Sequence, residues 1–183
     1  MLDLTPDHHK TLLAIARQSI SSVLDGRAPE WNAAELDEVL HQPAGVFVTL
    51  RTKDGELRGC IGSIRATDLL YKAVVTSAIS AAFRDPRFEP LRPGELERID
   101  LEISVMGPIE PVTDFEEIVV GGDGLIVSRG QYAGLLLPQV ATEYGWDRET
   151  FLDQTCIKAG LPRGAWRAAD CRVEKFSAIV FGE

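Results

Sequence analysis

The most constraining stretch of this sequence is a pair of short apolar segments separated by an Asp-Gly turn. The first segment runs from Val46 to Arg51 and the second from Leu57 to Gly62, with Asp54 and Gly55 between them. An Asp-Gly pair flanked by residues with high strand propensity is a strong signal for a β-hairpin. We therefore predict two antiparallel strands joined by a loop of the two residues Asp54 and Gly55.

The loop length fixes which side chains of this hairpin share a face. A two-residue loop places Thr49 opposite Cys60 and Arg51 opposite Arg58. One face would hold Phe47, Thr49, Arg51, Arg58, Cys60 and Gly62, and the other would hold Val46, Val48, Leu50, Leu57, Gly59 and Ile61. We expect the second, apolar face to turn toward the core.

Helical and strand patterns occupy most of the remaining chain. A first helix is predicted from a Thr5 cap to Asp25, with His8 and His9 as solvated residues, and a second from a Thr67-Asp68 cap to Phe83. The three prolines among residues 84–93 predict a shaped loop. Further predictions are a strand over 99–106 with one wet face, a turn over 121–124, strands over 125–128 and 135–137, helices over 138–144 and 147–159, and a closing strand over 171–181.

Charge and cysteine content exclude several classes of protein. The 183 residues carry 19 Lys and Arg against 28 Asp and Glu, a formal net charge of -9, which disfavours general nucleic-acid binding. Cys60, Cys156 and Cys171 are an odd number at wide spacing and form no metal or redox motif, so we expect no metal site and a reducing, cytoplasmic setting. We also expect no membrane span and no signal peptide.

The hairpin face with two arginines and a cysteine is the best candidate for chemistry. Two arginines opposite each other repel unless an anion lies between them, and Arg58 would favour the thiolate of Cys60. Gly59 and Gly62 would leave space beside the thiol, and Glu102 and Ser104 could supply an acid or base if their strand lies next to the hairpin. The structural alternative is that Cys60 is a small buried apolar residue and that the arginines are solvated at an edge or pair with Glu56, Glu102 or Asp85.

Other polar residues carry weaker signals. Neither His41 nor the amino-terminal histidines stand in a pattern that completes a Cys-His pair. Cys156 lies on the apolar face of its predicted helix, where a core position is the better interpretation.

Several motifs together resemble one known family. Leu57–Gly62 matches an LRGCIG signature, and Asp85–Leu91, Leu101–Val105 and Leu135–Ala141 match further segments in the same order. This set resembles the AMMECR1 family, whose prokaryotic members are called AmmeMemoRadiSam system protein A.

The resemblance implies an α+β fold with a mixed or antiparallel sheet flanked by helices. It also implies one domain over residues 1–183, with a second, smaller lobe built mainly from about residues 108–170 and with the signature near the cleft between the lobes. A Memo-like protein and a radical-SAM protein are the partners it implies. It implies neither an agreed reaction nor a known cofactor.

Two functions from different classes remain open at this point. The first is an enzyme or enzyme component that acts on a small anionic, even nucleotide-like, substrate, with Cys60 as nucleophile or redox thiol and Arg58 as anion clamp. The residues expected to contact substrate are Arg51, Thr49, Gly59, Gly62, Arg87 and Glu102. The second is a non-catalytic adaptor that binds a peptide or nucleotide portion of a partner. RNA recognition by a local arginine patch would have to act against the net charge.

Overall fold

The fold combines four α-helices and six strands over residues 2–183, the residues that this computed structural model describes. The helices are α1 (Pro6–Leu24), α2 (Leu70–Phe83), α3 (Pro138–Glu143) and α4 (Arg148–Lys158). The strands are β1 (Gly45–Thr52), β2 (Leu57–Ser63), β3 (Ile99–Pro111), β4 (Gly124–Arg129), β5 (Tyr132–Leu136) and β6 (Arg172–Gly182). They form one sheet in the order β2-β1-β3-β6-β4-β5. The predicted α+β class is confirmed.

The chain divides into two compact units. One comprises residues 2–106 and 179–183, and the other comprises residues 107–178. Each unit has its own cluster of buried apolar side chains.

The core of the first unit lies between the sheet and helices α1 and α2. Strands β1 and β3 pair antiparallel, and on each strand apolar side chains recur at every second position on the face that packs on the helices. These buried residues are Val46, Val48 and Leu50 from β1 and Ile99, Leu101, Ile103 and Val105 from β3. They pack with Leu12, Ile15 and Ile20 of α1 and with Val74, Ala78 and Ala81 of α2. The apolar face predicted for β1 is therefore the core face.

Helix α1 begins where the sequence predicts, through a capping box. The Thr5 hydroxyl accepts a hydrogen bond from the His8 amide, and the Thr5 amide donates to His8 Nδ1 at 3.0 Å. His8 Nε2 also lies 2.8 Å from Asp37 Oδ2. His9 stacks on Phe181 with 4.0 Å between ring centroids. The prediction that these histidines are merely solvated is wrong, because both have specific partners.

The hairpin forms as predicted, but its loop has three residues. The Gly55 amide donates to the Thr52 carbonyl at 2.8 Å, and the Thr52 amide donates to the Glu56 carbonyl at 2.9 Å. Gly55 has a φ of 86°, the left-handed conformation that follows a tight turn in hairpins of this length. The predicted two-residue loop is therefore wrong by one residue.

A bulge in β2 restores the predicted register beyond the loop. Arg51 lies opposite Leu57, whereas Leu50 lies opposite Gly59, so Arg58 has no counterpart on β1. Thr49 still faces Cys60, as predicted. The predicted opposition of Arg51 and Arg58 is wrong, and Leu57, predicted to be in the core, is 37% exposed.

Two further elements differ from the pattern-based prediction. Helix α2 begins at Leu70 with no side-chain cap, because Asp68 accepts only the amide of its neighbour Leu69. The second face of β3, predicted to be wet, is partly buried: Ser104 is 1% exposed and Met106 is 6% exposed.

In the second unit, α4 packs on strands β4 and β5, and β4 pairs with both β5 and β6. A Cβ on Gly134 of β5 would lie 2.3 Å from the Ala159 amide nitrogen, so this glycine permits close approach of the end of α4. Cys156 is fully buried here, as predicted. Strand β5 begins earlier than the pattern indicated, and the predicted turn over 121–124 is present.

No helix within residues 2–183 combines the length and the apolar character needed to cross a bilayer.

We predict that Gly59→Ala destabilises the chain by about 1–3 kcal/mol. A Cβ at this position would lie 2.3 Å from the Ala81 carbonyl oxygen of α2, and neither backbone can yield without moving its element. Urea unfolding followed by circular dichroism measures the change. The control is Glu56→Ala, which changes an exposed residue nearby and should shift the midpoint of urea unfolding little. Equal stability of the two variants would contradict the close packing of β2 on α2.

Candidate functional site

The LRGCIG segment forms β2, which is an edge strand of the sheet. The outer backbone groups of Cys60 are satisfied by the loop that follows α2. The Cys60 amide donates to Asp85 Oδ2 at 2.9 Å, and the Cys60 carbonyl accepts from Arg87 Nη2 at 3.3 Å. Asp85 and Arg87 thus bind the backbone groups of Cys60 that a further strand would bind. This part of the sheet edge is therefore not free to pair with a strand of another chain.

Asp85 and Arg87 form a bidentate ion pair in which the carboxylate is buried. Arg87 Nε and Nη2 donate to the two Asp85 oxygens at 2.9 and 2.7 Å, and the Asp85 side chain is 1% exposed. Hydrogen bonds from the Arg87 side chain hold the pKa of Asp85 well below its usual range, although burial acts in the opposite direction. The backbone amides of Cys60 and Arg87 also lower that pKa. Asp85 is therefore a charged anchor for β2 at neutral pH.

The Cys60 thiol lies against the hydroxyl of its cross-strand neighbour. Thr49 Oγ1 donates to Cys60 Sγ at 3.3 Å. Because the amide and carbonyl of Cys60 point away from β1, these two residues form a non-hydrogen-bonded pair, in which opposing side chains are closest. Thr49 is buried and Cys60 is half-buried. The thiol therefore has a fixed donor on one side and partial access from solvent.

Arg87 also contributes charge near the thiol. Its hydrogen bonds to Asp85 raise the pKa of Arg87, although burial acts in the opposite direction. The Arg87 side chain is 53% exposed. Its Nη1 atom has no hydrogen-bond partner among residues 2–183, so a donor remains free beside Cys60.

Arg58 pairs with a carboxylate that the sequence analysis did not consider. From the bulge, Arg58 Nη2 donates to Glu95 Oε1 and Oε2 at 3.3 and 3.4 Å. Burial raises the pKa of Glu95, but hydrogen bonds from the Arg92 amide and from Arg58 outweigh it and lower that pKa overall. The Arg58 side chain is 16% exposed, and its buried Nη1 atom has no partner among the described residues.

Arg51 and Glu102 do not lie beside the thiol. Arg51 Nη1 donates within the hairpin to the Gly55 carbonyl at 3.3 Å. Glu102 faces Thr49 from β3, so two strand spacings, about 10 Å, separate the backbones of Glu102 and Cys60. Arg51 and Glu102 instead line a separate cavity of about 210 Å³ together with Asp100.

The two signature glycines leave space that other parts of this chain fill. The space beside Gly59 is taken by the Ala81 carbonyl of α2. A Cβ on Gly62 would lie 2.6 Å from Cγ of Phe47, its cross-strand neighbour.

The sequence patterns predicted neither the pairing of Asp85 with Arg87 nor that of Glu95 with Arg58. Asp85 was one of three carboxylates expected to neutralise arginines, and the structure pairs it with Arg87. The available signal was an acid and an arginine two residues apart in a proline-rich loop. Glu95 follows the glycine that ends this loop, and no pattern in the sequence connects it to Arg58.

Comparison with known proteins defines the relationship of the whole chain. The family model described as AMMECR1 matches residues 13–181. The chain belongs to the AMMECR1 family. It is 48% identical to a protein of Methanothermobacter thermautotrophicus, across 98% of this chain and 96% of that one. It is 44% identical to protein PF1979 of Pyrococcus furiosus, across 94% and 86% of the two chains.

A solved structure shows the same fold. The crystal structure of uncharacterized protein PH0010 from Pyrococcus horikoshii superposes with a TM-score of 0.92 at 39% identity, and the match covers 98% of this chain and 93% of that one. None of these three names states an activity. For this AMMECR1 protein, function has therefore to be argued from the site.

No group of three or more His, Cys, Asp and Glu side chains within the described part of this AMMECR1 protein is arranged to hold a metal ion.

We predict that Asp85→Ala destabilises the protein by about 3 kcal/mol at pH 7, because it removes the buried acceptor of the Arg87 guanidinium and of the Cys60 and Arg87 amides. The pKa of Asp85 is lowered in the folded state, so its stabilisation is complete above the unfolded-state pKa of about 3.9 and is lost as the pH falls further. The stability gap between wild type and variant should therefore narrow below about pH 4. Urea unfolding across pH 2.5 to 7 measures this gap.

The control for Asp85 is Asp170→Ala, which removes an exposed Arg-Asp pair with Arg129. We expect this substitution to lower the free energy of unfolding by less than about 1 kcal/mol. If the Asp85 variant is no less stable than this control, Asp85 does not anchor β2.

Proposed function

We propose that this AMMECR1 protein is an enzyme, or a component of one, that acts on a small anionic substrate through the Cys60 thiol. The observation that supports this proposal is the way in which Cys60 is held. Its amide and carbonyl are bound by Asp85 and Arg87, and its thiol accepts a hydrogen bond from Thr49. A nucleophile or redox thiol needs this combination of fixed orientation, a donor that favours the thiolate, and access.

The two arginines support an anionic substrate. Arg87 is half-exposed and keeps Nη1 free, so it is the first candidate to contact an anionic group beside Cys60. Arg58 is the second candidate, since its Nη1 has no partner but is buried. In this proposal Thr49 positions the thiol, and Asp85 positions both Cys60 and Arg87. The three free cysteines favour a reducing, cytoplasmic setting for such chemistry.

We predict that iodoacetamide modifies Cys60 at least about tenfold faster than Cys171 at pH 7. Cys171 is a matched internal control because it is also half-buried, but burial raises the pKa of its thiol. Cys156 is fully buried, with a pKa raised by the same cause, and should react slowest. Peptide mass spectrometry over time gives all three rates.

The variant Thr49→Val tests the role of the hydroxyl. Loss of this donor should slow modification of Cys60 and leave the rate at Cys171 unchanged, while thermal melting monitors folding. If Cys60 in the wild-type protein reacts no faster than Cys171, thiol chemistry is excluded.

A second function, a non-catalytic adaptor, is supported by a different observation. Arg58 and Arg87 are each paired with a carboxylate of the same chain, so neither guanidinium depends on a bound anion for its charge partner. We propose as partners a Memo-like protein and a radical-SAM protein, in the role of AmmeMemoRadiSam system protein A. Both partners are implied by the resemblance to the AMMECR1 family.

The adaptor function predicts different effects of two variants on partner binding. For an adaptor, Cys60→Ser should leave the affinity unchanged, whereas Arg58→Ala should weaken it about tenfold through loss of a charged contact. Isothermal titration against a purified Memo-like protein and a purified radical-SAM protein measures both. If the wild-type chain binds neither, the adaptor function is excluded.

A further inference from the structure

The six-stranded sheet ends in two edge strands of different character, β2 and β5. In β2, Arg58 forms a bulge, and Asp85 and Arg87 bind the outer backbone groups of Cys60. Bulges, charges and covering loops are devices by which proteins prevent an edge strand from pairing with another chain. The structure describes all of β5, and within Tyr132–Leu136 there is no charged residue, no proline and no bulge. Strand β5 is therefore an edge without these devices.

Two residues of β5 direct their backbone amides and carbonyls away from the sheet. The loop between β4 and β5 has two residues, so Arg129 and Tyr132 close it as a hydrogen-bonded pair. Such pairs alternate along the strands with pairs whose backbone groups point outward, which here belong to Ala133 and Leu135. No other element within residues 2–183 forms a hydrogen bond to these outward groups. They can therefore accept a further strand.

Apolar side chains lie beside this open edge. Tyr132 is 51% exposed, and its Cδ1 atom would lie 3.6 Å from a Cβ on Gly160, just beyond α4. The end of α4 covers the middle of β5, where Gly134 abuts the backbone of Ala159. Ile157, in the last turn of α4, is also exposed. A strand that pairs with β5 would thus gain apolar contacts as well as hydrogen bonds.

A second copy of β5 matches this edge through a two-fold axis at Gly134. In antiparallel pairing about that axis, Ala133 of each copy lies opposite Leu135 of the other, and all their outward amides and carbonyls are paired. The same register places Tyr132 opposite Leu136 of the second copy. The whole chain carries a net charge of -9, but β5 is uncharged, so the paired strands bring no like charges together.

We propose that this AMMECR1 protein forms a symmetric dimer in which the β5 strands of two copies pair antiparallel about Gly134. The two six-stranded sheets then form one continuous sheet. The occupant of the edge is a second copy because each copy supplies an uncharged strand with the same outward donors and acceptors. The contact is independent of the thiol function proposed above, since Cys60 lies on β2, at the other edge.

Sedimentation equilibrium of the full-length chain, at concentrations up to about 1 mM, measures the association. We expect the mass to rise from that of a monomer toward that of a dimer. Ala133→Pro removes an outward amide and no hydrogen bond to β4, a change that edge strands tolerate. It should weaken association at least about tenfold, because symmetry removes the amide from both copies. A wild-type chain that stays monomeric overturns the proposal.

Matched variants separate the β5 contact from a general effect of substitution. Ala169→Pro makes the same exchange at an exposed alanine in a turn and should associate like wild type. Tyr132→Ala should weaken association severalfold, and its control is Tyr144→Ala, which changes another exposed tyrosine. Circular dichroism monitors the folding of each variant. Equal association of folded Ala133→Pro and Ala169→Pro overturns the proposal.

Amide hydrogen exchange of the wild-type protein, followed by NMR, locates the contact without any substitution. The amides of Ala133 and Leu135 should exchange more slowly as the protein concentration rises. The internal control is the amide of Gly62, which points outward from β2 as that of Cys60 does, and its exchange should not change. Unchanged exchange at Ala133 and Leu135 in a protein that associates overturns the proposal, whether or not Ala133→Pro folds.

Discussion

The buried carboxylate of Asp85 is the interaction on which the arrangement around β2 depends. One side chain joins the loop after α2 to the edge strand, because it accepts the Cys60 amide and both an amide and the guanidinium of Arg87. A buried charge is stable only when it is paired and fully hydrogen-bonded. These four bonds meet that requirement, and in doing so they set the position of Cys60. The same ion pair therefore covers a sheet edge and orients the residue at the centre of the family signature.

The turn of the hairpin has consequences at a distance along β2. A three-residue loop shifts the pairing by one residue, and the bulge at Arg58 compensates for that shift. Without the bulge, Cys60 would face away from Thr49, and the thiol would lose its donor. Without the bulge Arg58 would lie opposite Leu50, on the core face, whereas from the bulge its guanidinium reaches Glu95. The signature segment thus contains a backbone irregularity at Arg58 as well as the thiol of Cys60.

Strand β2 presents different chemistry on its two faces. One face carries the thiol, with Thr49 and Arg87 as its neighbours, and the other meets α2, where Gly59 allows close packing and a small cavity opens further along. Both faces belong to the same short strand, whose position is set by Asp85. The signature residues of this AMMECR1 protein therefore lie on an edge strand that is paired on one side by β1 and held on the other by Asp85 and Arg87.

The sequence alone determined the elements whose signals are local. The Thr5 cap and the alternation along β1 and β3 predicted the start of α1 and the core faces, because caps and alternation act within a few residues. The pairing of Thr49 with Cys60 was also predicted, although through a loop one residue too short. The tertiary structure decided which carboxylate meets which arginine. Asp85 lies 25 residues from Cys60, and Glu95 lies 37 residues from Arg58. Such pairings depend on how the loop after α2 folds back onto β2. The periodicity of a strand or helix does not predict that geometry.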